Sequence, residues 1–135
     1  MNFVTGIHAT SSALTAEQMR LDIVAQNIAN AYTTKDADGN PYQRRTLSFE
    51  TVLGGVNGAE KGVRVAAMAR DKSPGEQIHN PGHPHADAQG MVRLPNVQLA
   101  TEMVDLMSAS RAYEANLSVA RNSRSLATKA LSIGK

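Results

Sequence analysis

The 135-residue chain has no cysteine and no tryptophan, and only 4% of its residues are aromatic. Without cysteine, disulfides, thiolate nucleophiles and Cys-based metal sites are excluded, while the compartment is left open. Scarce aromatics remove the side chains that ordinarily supply much of a core's buried area. With 41% hydrophobic residues, a large autonomous core is not expected. No stretch approaches the ~20 consecutive apolar residues of a membrane span. The first thirty residues, with Arg20 as their one basic residue, hold no apolar run of the secretory kind. Read alone, this is a cytoplasmic chain that does not insert in a membrane. One-sided charge is missing too: 14 basic and 12 acidic residues leave a net +2, spread along the chain. Arg111, Arg121, Arg124 and Lys129 are too widely spaced for a basic stripe, so no nucleic-acid partner is expected. G-x-S-x-G, Walker A and dinucleotide fingerprints are all absent.

What is present divides the chain in three. All five prolines and eight of the ten glycines fall between residues 35 and 96. Here DADGNP at 36–41 is turn chemistry. Leu47, Phe49, Thr51 and Leu53 alternate with their neighbours, as do Val63, Val65 and Ala67, and both runs predict short strands; MVRL at 91–94 predicts a third. Residues 1–34 contain no proline, and Ile7, Leu14, Leu21 and Ile28 recur every seven residues, with Ser11, Gln18 and Ala25 in the alternate seam. This is a half-polar heptad stripe. Residues 97–135 continue the pattern through Met103, Leu106, Ser110, Tyr113, Leu117, Ala120, Arg124, Ala127 and Leu131, predicting a helix of roughly 55 Å closed by Gly134. The expected fold class is α+β: long N- and C-terminal helices pairing as a coiled coil, with a small β-rich insert between them.

Three features invite chemistry. His79, His83, His85 and Asp87 lie within nine residues and offer a donor set for a metal module or hydrolase. Against that, an extended His-Pro-His directs its rings to opposite sides, and no paired-knuckle or helical-face spacing is present. Ser108 and Ser110 lie in the helical pattern with no histidine beside them. Glu102 and Asp105 fit a solvated or cross-helix face better than a carboxylate pair. No catalytic residue, metal ligand or cofactor is therefore expected. Asn27 and Asn30 pose a separate question, because asparagine is a mediocre helix former. One reading makes them register-fixing contacts between helices; the simpler one makes Asn30 a C-cap and leaves Asn27 solvated. Arms this polar bury little unless they meet each other or other subunits, and alone such helices are marginal in water. The chain is expected to order on assembly.

The stretch SSALTAEQMRLDIVAQNIANAYTT resembles the opening motif of the bacterial flagellar rod and hook family, whose first helix ends in N-I-A-N-x-x-T; here that is Asn27, Ile28, Ala29, Asn30 and Thr33. HPHADAQGMVRLPNV at 83–97 and EMVDLMSASRAYEAN at 102–116 resemble the branch that builds the proximal rod. Tyr32 stands where asparagine is common, and Ala13 where glycine is usual. Residues 35–80 match least sharply.

The resemblance implies a structural, non-enzymatic subunit of a tubular drive shaft that transmits motor torque. Its terminal helices would pair in an inner layer and the β insert would lie outside. It implies assembly with copies of itself, with other rod proteins and with the rod-base adaptor. It also implies export by the flagellar type III apparatus without a cleaved signal, and residence in the basal body where the rod crosses the periplasm. The cytoplasmic reading gives way to this. The assembly interface is expected at Ile7, Leu14, Leu21, Asn27, Ile28, Asn30, Met103, Leu106, Tyr113, Leu117 and Leu131. Arg111, Glu114, Arg121 and Arg124 are expected to add polar contacts.

Overall fold

A computed structural model of the chain describes residues 3–53 and 61–134. Gly54, Gly55 and Gly58, counted above with the insert, lie outside the described residues. In chain order the elements are α1 (Phe3–Ala29), β1 (Arg45–Val52), β2 (Gly62–Arg70), β3 (Gln77–His79), β4 (Met91–Arg93) and α2 (Leu99–Ile133). The fold is thus α+β, with a helix at each end and two small sheets between. Among the described residues no helix is long and apolar enough to cross a membrane.

β1 and β2 form one two-stranded sheet, β3 and β4 the other. The expected first strand stops at Val52, and Leu53 beyond it is 81% exposed. β3 was not anticipated. It is three residues long and pairs antiparallel with β4, Gln77 opposite Arg93 and His79 opposite Met91. The connecting segment is a chain of turns in which the amides of His83, Ala86 and Gly90 donate to the carbonyls of Asn80, His83 and Asp87. Pro81 and Pro84 each take the second turn position, where a fixed φ near −65° costs nothing. His-Pro-His is therefore folded and not extended. Gly90 sits at φ +75°, and a Cβ there would meet Pro81 at 3.0 Å.

The described residues fall into two compact units, to which both helices contribute. One takes in residues 1–21, 47–67 and 107–135, and its buried hydrophobic residues are Ala16 and Ala109. Its core is thin, as the shortage of large apolar side chains implies. Ser12 Oγ accepts from the Val63 amide at 3.1 Å and donates to the Ala9 carbonyl at 2.8 Å, tying α1 to β2. The other unit, residues 22–46 and 68–106, buries Ile23, Val24, Ala31, Tyr42 and Val92.

The buried stripe of α1 is not the heptad read from the sequence. Ala16, Ile23, Val24 and Asn27 are buried, whereas Ile7 is 50% exposed and Leu14, Leu21 and Ile28 are half-buried. Small residues let other parts of the chain approach closely at Ala16, so a stripe chosen by side-chain size selects a different face. Of the seam expected on α2, Leu106, Ser110, Tyr113, Leu117, Ala120 and Ala127 are half-buried beside the fully buried Ala109, whereas Met103, Arg124 and Leu131 are exposed.

Candidate assembly surface and its polar anchor

Asn27 lies in the last turn of α1 and is 1% exposed. Its amide nitrogen donates to the Arg45 carbonyl at 2.9 Å and to Glu102 Oε2 at 3.0 Å. Its oxygen accepts from the Tyr42 hydroxyl and from the Arg45 amide, both at 2.9 Å. Two donors and two lone pairs are all a side-chain amide has, so every position is filled inside the chain. Asn27 therefore fixes register between α1, β1 and α2 of one molecule, and it is neither solvated nor free for a neighbour.

Glu102 is fully buried at the start of α2, where a carboxylate suits the positive end of the helix. It is not on a solvated face. Arg44 Nε pairs with its Oε1, and Arg44 Nη2 reaches Asp105 Oδ2 at 3.3 Å. The Arg44 main chain is clasped as well: its amide donates to Asn96 Oδ1 at 2.7 Å, and its carbonyl accepts from the Asp71 amide at 2.8 Å. Asn96 Nδ2 then donates to the Asp71 and Ser73 carbonyls at 2.9 and 3.0 Å. Tyr42, Arg44, Asn96 and Glu102 were not singled out as a set by sequence reasoning. Only Asn27, a polar residue on a largely apolar helical face, signalled that a polar anchor exists.

Electrostatics follow the packing. Burial raises the Tyr42 phenol above its ordinary value of 10.0; the Arg45 cation opposes this and the Glu102 charge adds to it. Arg45 lies 6.0 Å over the Tyr42 ring. The Ser73 hydroxyl and amide, both donating to its carboxylate, hold Asp71 below the usual 3.8.

Asn30 ends the helix. Its side chain donates to the Gln26 carbonyl at 2.9 Å and accepts from Thr33 Oγ1 at 3.1 Å, while its own carbonyl takes the Thr33 amide at 3.0 Å. The capping reading thus holds for Asn30 and fails for Asn27. Of the other expected interface residues, Met103 is 50% and Leu131 76% exposed, and Arg111, Glu114, Arg121 and Arg124 are exposed. Alongside them α2 exposes Val104, Met107, Val119, Leu126 and Ile133, none of which was named from the sequence. Three of them, Val119, Leu126 and Ile133, share a signal, a second seven-residue spacing.

The histidine segment makes no metal centre. His83 and His85 approach edge to face at 5.3 Å, the His85 amide donates to His83 Nδ1 at 3.0 Å, and His85 Nδ1 meets Thr34 Oγ1 at 2.8 Å. Asp87 Oδ1 is occupied by the amides of Gln89 and Met91. Among the described residues no group of three His, Cys, Asp or Glu side chains is arranged to hold a metal ion.

Comparison with known proteins bears on what this surface serves. A family model described as flagella basal body rod protein matches residues 7–35, and one described as flagellar basal body rod FlgEFG protein C-terminal matches residues 88–133. Flagellar basal-body rod protein FlgC of Yersinia enterocolitica is 40% identical over 136 residues, covering 100% of both chains. FlgC of Borreliella burgdorferi is 40% identical over 149 residues, covering 98% of each. FlgC of Escherichia coli O6:H1 is 41% identical over 124 residues, covering 92% of each.

Proposed function

From the premise that the chain belongs to the FlgC-type flagellar basal-body rod proteins, structural subunits and not enzymes, we propose that it builds the proximal part of the rod as a segment of a tubular drive shaft. The terminal helices pair and pack in a shared inner layer, the insert lies outside, and torque passes through many shallow helix–helix contacts repeated around the tube. Its partners are copies of itself, other rod proteins and the rod-base adaptor. The chain reaches its place through the flagellar type III apparatus without a cleaved signal, and works where the rod crosses the periplasm.

The observation that carries this reading is the apolar surface left on α2. Seven large hydrophobic side chains of that helix, from Met103 to Ile133, are at least half exposed. A lone molecule in water gains nothing from such a surface, whereas a helical layer buries it. At ~25 cal/mol per Å² of apolar area removed from water, burying them across an interface is a substantial driving force. Of the interface residues expected from the sequence, Met103 and Leu131 belong to this exposed surface, whereas Leu106, Tyr113 and Leu117 are half-buried on the sheltered face.

The test is amide hydrogen exchange on the isolated chain and on the same chain in purified basal bodies. Fast exchange along residues 107–133 in the isolated chain, turning to strong protection in basal bodies, is the expected result. A chain missing from basal bodies, or one protected equally in both states, contradicts the proposal.

A further inference from the structure

The function proposed above makes no use of the segment between β3 and β4, where two histidines hold contacts of different kinds. His83 is half-buried, and its Nδ1 accepts from the His85 amide at 3.0 Å. Pro84 between them has no amide to offer, and the Ala86 amide closes the turn on the His83 carbonyl at 3.0 Å. The ring thus stands where an Asn or Asp side chain often does, accepting from the amide two residues on. An imidazole nitrogen accepts only through a free lone pair, so this bond requires the neutral ring with its proton on Nε2. Once Nδ1 carries a proton, two N–H groups face each other across the same gap and the bond is lost.

His85 behaves otherwise. Its Nδ1 lies 2.8 Å from Thr34 Oγ1, in the exit from α1. A hydroxyl both donates and accepts, so this contact survives protonation by reversing its direction. What seats the His85 ring on Thr34 is therefore the turn, and the turn depends on a neutral His83. The surroundings sharpen the dependence. The two rings meet edge to face with centroids 5.3 Å apart, so charging both sets like charges against each other. Lys35 and Arg93 line the hollow beside His85, and Asp87 is the carboxylate among them, with one oxygen already taken by the Gln89 and Met91 amides. His79, the other histidine of the segment, lies against Gly90 at the end of β3.

We infer that His83 and His85 form an acid-sensitive latch: neutral His83 holds the turn that seats His85 on Thr34, and protonation of His83 frees residues 80–90 from the exit of α1. Histidine ordinarily changes charge between roughly pH 5 and 8, so the latch is closed at neutral pH and opens on mild acidification. The device is independent of the rod-subunit reading, since every group in it lies within the unit formed by residues 22–46 and 68–106 of a single chain.

NMR on the full isolated chain, taken from about pH 8 to about pH 5, tests the latch. At neutral pH the imidazole nitrogen signals of His83 are expected to show the Nε2–H tautomer. On acidification the His85 and Thr34 amide resonances are expected to shift in step with the His83 ring, while those of Val24, Asn27 and Val92 stay in place. His83→Ala is expected to abolish that step at Thr34, and His79→Gln to leave it unchanged. A His83 ring protonated on Nδ1 at neutral pH overturns the inference. So does a Thr34 response that follows His85 alone or persists in His83→Ala, and so does a segment already disordered at neutral pH. Should His83→Ala fail to fold, the tautomer and the step-for-step shift in the natural chain decide.

Discussion

Asn27, Glu102 and Tyr42 show how much one buried polar cluster holds together in a chain with few large apolar side chains. Replacing Asn27 by alanine strands the Tyr42 hydroxyl, the Arg45 amide and a Glu102 oxygen at once, so Asn27→Ala is expected to cost about 2–4 kcal/mol. Urea unfolding of the isolated chain measures it; a change under about 0.5 kcal/mol, as for an ordinary surface position, contradicts the role assigned here. Glu102→Ala leaves Arg44 with Asp105 alone and is expected to cost on the order of 3 kcal/mol. Both ends of the pH scale reach this unit. The Tyr42 phenol has its pKa raised by burial, so its contribution is complete below pH 10.0 and is lost as pH rises through the folded-state value. Tyr42→Phe should flatten that alkaline loss in a pH-dependent melting series. Asp71 is the opposite case: its pKa is lowered by Ser73, so its contribution is complete above 3.8 and fades as pH falls through the folded-state value. Asp71→Asn should blunt the acid limb.

At the level of elements, the β3–β4 hairpin turns on two glycines. A Cβ on Gly75 would lie 1.8 Å from the Leu94 carbonyl oxygen, a backbone atom that cannot step aside. Gly75→Ala is therefore expected to displace the entry to β3 and lower stability by about 2 kcal/mol or more, read by urea unfolding. Gly90→Ala, set against a positive φ, should cost roughly 1–2 kcal/mol. How far the elements could be read from the sequence depends on their length. α1, α2 and the longer strands announced themselves by period and by the gathering of proline and glycine between them. β3 did not, because three residues between Gly75 and Pro81 carry no period. The fully buried face of α1 was not legible from the heptad because Ala16 and Asn27 share it with Ile23 and Val24, while Leu14, Leu21 and Ile28 are only half-buried. The pairing of Arg44 with Glu102 spans 58 positions, and nothing local to either residue reports it.

For the whole molecule, the two units divide the work. The unit holding residues 22–46 and 68–106 has the large buried side chains and the polar anchor, and is expected to show slow amide exchange in the isolated chain around Val24, Asn27 and Val92. The unit with Ala16 and Ala109 at its centre is expected to exchange faster there. Equal protection of both would mean that the alanine-lined unit is stable without neighbours. Asn27 and Glu102 stand 75 residues apart, so the bond between them closes most of the chain into a loop. Bringing such distant positions together is entropically costly and belongs late in folding. A polypeptide held extended in a conduit cannot make that closure, and a nascent chain that stops short of residue 102 cannot complete it. The Asn27–Glu102 bond is thus made only once residues 27 and 102 are both free to meet.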